Sequence, residues 1–217
     1  MELSGLEGEL ERTTAGRSQM YALLGAAFGF PDSDFHDAIR EGLIVRSIGE
    51  LCSVLPHQLA SVVTADLAAA TDVYVEFESE YIRLFDVGAA GPPCPLYGGV
   101  YIGDRMKTME EATRFYNFFE LHLSPEVREL PDHITTQLEF LHYLTFREAE
   151  VGQHGGDVSS LLRAERDFLE RHLCRWVPRM RERLVKQNPA PFFVALVDFA
   201  IAFFEADRAY AAAAVGG

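Results

Sequence analysis

Apolar side chains at Met20, Leu23, Leu24, Ala27 and Phe28 recur at spacings of three and four, the signature of one buried helical face. Thr13 or Thr14 is the expected cap of this helix, and Gly29 with Pro31 its stop. Asp32 or Ser33 should open a short helix with Phe35 and Ile39 on one side. Residues 44–55 and 58–85 continue the helical period, split at Pro56-His57; the second stretch reads as one long helix ending in Tyr74, Phe77, Tyr81, Leu84 and Phe85. Further helices are expected over 104–121, from Pro131 to about 151, and over 159–187 with a bend near Pro178. Ser124-Pro125 reads as a turn. The last helix follows Asn188-Pro189, and its apolar residues (Phe192, Phe193, Leu196, Val197, Phe199, Ile201, Phe203, Phe204) encircle it, which places it inside a bundle. No convincing two-residue alternation occurs. The pattern therefore predicts an all-α, single-domain bundle of about nine or ten helices over 1–217, with 1–12 and 209–217 disordered or frayed.

Composition narrows the function. A formal charge of −14 argues against a nucleic-acid partner, because phosphate binding rests on clustered Lys and Arg. It suits a basic peptide better. Eight of the nineteen basic residues (Arg163, Arg166, Arg171, Arg175, Arg179, Arg181, Arg183 and Lys186) nevertheless fall in one helical stretch, interleaved with acids, and read as a solvated face. Cys52, Cys94 and Cys174 are odd in number and lack a CxxC, so neither a disulfide framework nor a zinc site is expected, and a reducing cytoplasm is the simplest setting. No apolar run reaches the ~18 residues of a membrane span, so no direct membrane insertion is expected.

Catalytic motifs are absent. There is no GxSxG, HExxH, P-loop or dinucleotide fingerprint. Glu139-x-x-His142 has the spacing of a di-iron half-site but no second copy, so no metal, cofactor or catalytic residue is assigned. Met106, Met109, Phe115, Phe118 and Phe119 read as core.

The remaining signal is a loop rich in Gly and Pro (Gly88, Gly91, Pro92, Pro93, Pro95) that presents Leu96, Tyr97 and Tyr101 beside Gly98-Gly99. A second element, Glu129-Leu130-Pro131-Asp132-His133, lies far along the chain, with Pro131 and Asp132 expected in a first helical turn. Leu84-Phe85, Pro95-Leu96-Tyr97 and Glu129–His133 together resemble the TorD/DmsD/NarJ family of redox-enzyme maturation chaperones, and the loop is most similar to the delta subunits of the nitrate, selenate and hydrocarbon branch. The resemblance implies a cytoplasmic chaperone of a molybdenum-containing oxidoreductase. Its expected partners are the catalytic subunit and that subunit's twin-arginine leader. Tyr81, Leu84, Phe85, Pro95, Leu96, Tyr97, Asp132 and His133 would form the peptide groove, and Glu76, Glu78 and Glu80 would steer arginines toward it. A stable structural subunit of an oxidoreductase complex is the alternative reading. Guanine-nucleotide binding, ascribed to some relatives, has no motif here.

Overall fold

The computed structural model describes residues 8–59, 62–89, 91–122 and 129–216, and among these it is helical without strands. Helix α1 (Glu9–Phe28) begins before the expected cap: Thr13 Oγ1 instead donates to the Val54 carbonyl at 3.1 Å, and Thr14 is buried. Asp32 does cap α2 (Ser33–Arg40), accepting the Phe35 N–H at 2.8 Å. Helix α3 (Leu43–Cys52) follows a left-handed Gly42.

The long helix expected over 58–85 does not form. A 3-10 turn (Ala65–Ala68) buries Leu67 against the core, so packing of one leucine overrides the helical propensity of the alanines. Helix α4 (Tyr74–Tyr81) starts only afterwards and ends in a π-helical turn, Ile82–Asp86. The short α5 (Gly99–Ile102) and α6 (Arg105–Phe118) come next; Asp104 caps α6 by accepting the Lys107 N–H at 3.0 Å. On α6, Met106 and Phe118 are exposed, against expectation, while Tyr116 and Ala112 supply the buried face.

Helix α7 (Ile134–Gln153) begins three residues later than Pro131, with His133 as its N-cap. The Ser124-Pro125 turn lies outside the described residues. The expected bend at Pro178 is also displaced: α8 (Ser159–Arg171) and α9 (Leu173–Leu184) part at His172 (φ −116°, ψ −93°), and Pro178 sits inside α9 without breaking it. The His172 ring is wedged between Phe168 and Phe115, at centroid distances of 4.5 and 5.9 Å, so aromatic packing sets the break.

Helix α10 (Pro191–Gly216) is the central rod; it runs on through 209–216, and Ala211 is fully buried. Phe192, Phe193, Phe199, Phe203 and Phe204 are buried around it. At its far end α1, α7, α8 and α10 meet on one guanidinium. Buried Arg17 binds Asp207 (Nε–Oδ1 2.6 Å), Glu148 (2.6 Å) and Glu165, while Tyr21 and His57 also bond Asp207 at 2.6 and 3.1 Å. Burial opposes the Arg17 charge, but Asp207, Glu165 and Glu148 outweigh it and raise its pKa. Burial raises Glu165 well above the usual carboxylate value, with Arg17 opposing; Asp207 is instead held low by Arg17 and its hydrogen bonds despite burial.

Candidate functional site

The Gly/Pro loop and the Glu129–His133 element, distant in sequence, are joined edge to edge. Tyr97 and His133 form an isolated antiparallel bridge, extended by Ile134 N–H to Leu96 carbonyl (2.9 Å) and Gly98 N–H to Asp132 carbonyl (2.9 Å). The π turn supplies the third wall, its Leu84 carbonyl accepting the Cys94 N–H at 3.0 Å. A π turn adds one residue to the helical circuit, and such turns recur at functional sites.

These three walls enclose a cleft of ≈ 460 Å³. Tyr81, Phe85, Pro95, Leu96, Tyr97 and His133 line it. Leu84 and Asp132 do not; both are fully buried behind the wall. Asp132 is thus neither in a helical turn nor on a binding surface. Its Oδ2 accepts the Gly99 N–H at 2.9 Å and so fastens α5 to the wall. Burial raises the Asp132 pKa, opposed by that bond, and Oδ1 has no protein partner.

The paired glycines are explained by the same packing. A Cβ on Gly98 would stand 3.0 Å from the Trp176 ring, and one on Gly99 would stand 2.7 Å from the Arg105 Cα. Trp176 in turn donates to Gln137 Oε1 at 3.0 Å and stacks on Tyr101. Helix α5, behind the cleft wall, is therefore tied to α7 and α9.

The expected steering residues stand apart from the cleft lining. Glu80 is bound bidentately by Arg83 (2.7 Å twice) and accepts the Ala190 N–H, while Glu78 accepts the Tyr74 hydroxyl at 2.9 Å. Glu76 is exposed, and none of the three lines the cleft. The carboxylates that do are Asp86 and Glu129. Glu129 Oε2 accepts the Tyr97 hydroxyl at 2.7 Å and lies 3.7 Å from His133 Nε2. Burial lowers the His133 pKa, with Glu129 opposing; burial and the bond to Glu129 raise that of Tyr97.

Phe30, Asp86, Val100, Arg105 and Thr135 also line the cleft and were not among the expected residues. Phe30 is 57% exposed and packs edge-on against Tyr81 at 5.5 Å. Its sequence signal was its place between Gly29 and Pro31, an aromatic stranded just past a helix stop. Arg105 places its guanidinium 5.6 Å from the Tyr97 ring centroid, so this ring already accepts a cation on its face. Aromatic faces and two carboxylates thus stand side by side around one opening. Among the described residues no group of His, Cys, Asp and Glu is arranged to hold a metal, and no helix is long and apolar enough to cross a membrane.

Comparison with known proteins agrees with the motif reading. Residues 48–182, which contain the π turn, the loop and the bridge, match the family model described as nitrate reductase delta subunit. The chain is 32% identical over 195 residues to the perchlorate reductase assembly chaperone protein of Dechloromonas aromatica, covering 88% of this chain and 87% of that one. It is 41% identical over 167 residues to the chlorate reductase assembly chaperone protein of Ideonella dechloratans, covering 76% and 74%. A chaperone protein TorD of Vibrio cholerae is 26% identical over 140 residues, 63% of each chain. On the family match and these identities together, the chain belongs to the TorD/NarJ/DmsD family of maturation chaperones, a non-catalytic family.

Proposed function

We propose that this protein is a cytoplasmic chaperone for the catalytic subunit of a molybdenum-containing reductase. It binds that subunit's twin-arginine leader in the cleft, supports cofactor insertion and delays export until insertion is complete. The observation that carries this reading is the convergence of Phe30, Tyr81, Phe85 and Tyr97 with Asp86 and Glu129 around one opening. A leader pairs arginines with an apolar stretch, and the cleft offers both complements: carboxylates for charge-assisted bonds and aromatic faces for the apolar part. The relatives named for perchlorate and chlorate reductases point to a client of that enzyme class.

The reading is tested by titration calorimetry of the full chain with a synthetic twin-arginine leader and with its twin-lysine counterpart. The arginine peptide should bind with unit stoichiometry and more tightly, since planar guanidinium groups satisfy carboxylates bidentately and stack on rings. Equal affinity for both peptides, or binding untouched by Glu129→Gln, refutes the assignment of this cleft.

A further inference from the structure

Helix α9 carries Arg175, Arg179 and Arg183 at successive steps of four residues, all exposed, on a protein whose formal charge is −14. The opposite face of the helix is buried through Trp176, Val177, Met180 and Leu184. Among the described residues no carboxylate lies within 4 Å of these three arginines, whereas Arg171 reaches Glu111 (3.4 Å) and Arg181 is paired with Asp198 (2.5 Å). Glu182, the one carboxylate of α9, makes no ion pair with them.

Local physics disfavours this arrangement. Like charges four residues apart on a helix repel, and Arg175 stands in the first turn, where the helix dipole is also positive. Two of the guanidinium groups are nonetheless held in place. Arg179 Nη1 donates to the Tyr101 carbonyl at 2.8 Å, and Arg183 lies 4.6 Å over the Tyr101 ring. Each keeps further N–H donors directed away from these contacts. Fixed, unneutralised and mutually repelling cations are complementary to an external anion.

We infer that the α9 arginines form a second interaction surface, separate from the cleft, that takes an extended acidic segment of a partner polypeptide. The spacing argues for a polypeptide over a compact anion. Three arginines separated by four residues each are spread over roughly 12 Å, about 6 Å per step. Phosphate or pyrophosphate needs cations that converge. An extended chain instead places alternate side chains about 6.6 Å apart, close to the arginine step. The preferred segment therefore carries Asp or Glu at every second position. This inference does not rest on leader binding, and failure of either leaves the other standing.

The probe is a fluorescein-labelled nine-residue peptide alternating Glu and Ser, compared with an isomer of the same composition with its Glu residues contiguous. Fluorescence anisotropy is read with the full chain at about 0.1 M salt, where repulsion from the rest of the acidic surface is screened beyond ~10 Å. The alternating peptide should bind several-fold more tightly than its isomer. The double variant Arg175→Gln/Arg183→Gln should weaken it about tenfold. Arg181→Gln removes an equal charge from the same helix but from an internal pair, and should leave binding unchanged. Circular dichroism melts establish that each variant is folded. Equal affinity for the two isomers, or equal loss in Arg181→Gln, overturns the proposal. So does tighter binding of pyrophosphate than of the peptide, which would assign the stripe to a compact anion. Self-association of the parent that disappears in the double variant would assign it to a second copy of this chain, and equally overturns the proposal.

Discussion

Tyr97 and His133 stand with ring centroids 4.8 Å apart, bridged through their backbones and both turned toward the Glu129 carboxylate. Glu129 is therefore, with Asp86, one of the two carboxylates that give the cleft its negative charge. Glu129→Gln keeps an acceptor for the Tyr97 hydroxyl and removes the charge that opposes burial of His133. The His133 midpoint, followed by NMR, should fall further below its usual value. Affinity for an arginine-bearing leader should fall about tenfold and lose part of its salt dependence.

Phe85 is not a free anchor. It is 6% exposed and packs on Tyr81 and Phe193 at 5.2 and 5.6 Å. Phe85→Ala should cost about 3–5 kcal/mol in a urea titration. Phe30→Ala, at a 57% exposed position, should change stability little but speed leader dissociation. Stopped-flow dissociation beside thermal melts separates the two effects.

His172 is buried with neither ring nitrogen bonded, and burial lowers its pKa from 6.5 to about 4. A depressed folded-state value contributes stability that is complete above pH 6.5 and is lost as pH falls toward 4. The shift corresponds to roughly 3 kcal/mol. His172→Phe keeps an aromatic ring between Phe115 and Phe168, and should flatten the acid limb of stability measured by urea denaturation from pH 7 to 4.

At the Arg17 cluster, Arg17→Met strands three carboxylates and should cost about 3–5 kcal/mol. Glu165 has the opposite sign from His172. A raised folded-state value contributes stability below the usual carboxylate value of 4.5 that is lost as pH rises through the folded value. Glu165→Gln imitates the protonated form. It should match the parent at pH 4, below the usual carboxylate value, and exceed it at alkaline pH, read as the urea midpoint at pH 4 and pH 9.

Gly98→Ala and Gly99→Ala probe the packing behind the cleft wall. The added methyl of the second meets the Arg105 Cα at 2.7 Å, a backbone atom with no rotamer to yield. A loss of about 1–3 kcal/mol and a weaker Tyr97–His133 bridge are expected, measured by melting and by hydrogen exchange at Ile134.

Phe85 and Tyr97 were legible because Gly and Pro follow or flank them, leaving large side chains with no continuing helix to serve, whereas Phe30, just past the stop of α1, was not. Asp132 does not stand in the expected first helical turn, because the helix starts after it at Ile134. Its true partner, the Gly99 N–H, belongs to another segment. The cluster around Arg17 went unread, although a signal existed: Arg17 sits three and four residues before Met20 and Tyr21, on the apolar face. Which carboxylates gather there depends on how α7, α8 and α10 pack, and no local pattern encodes that. The 3-10 turn at Leu67 escaped for a similar reason, since alanine-rich sequence is helical by default.

His133 walls the cleft and also caps α7, its Nδ1 accepting the Thr135 N–H at 3.4 Å and lying 2.6 Å from the Thr135 hydroxyl. On the proposed role of the cleft, one side chain thus answers to two selective pressures. Drift toward a new client cannot begin there without loosening the start of a core helix. The positions free to vary are Phe30 and Asp86, exposed and without such duties. Chaperones descended from a common ancestor but dedicated to different enzymes should therefore differ first along this outer lip, while the bridge behind it stays as inherited.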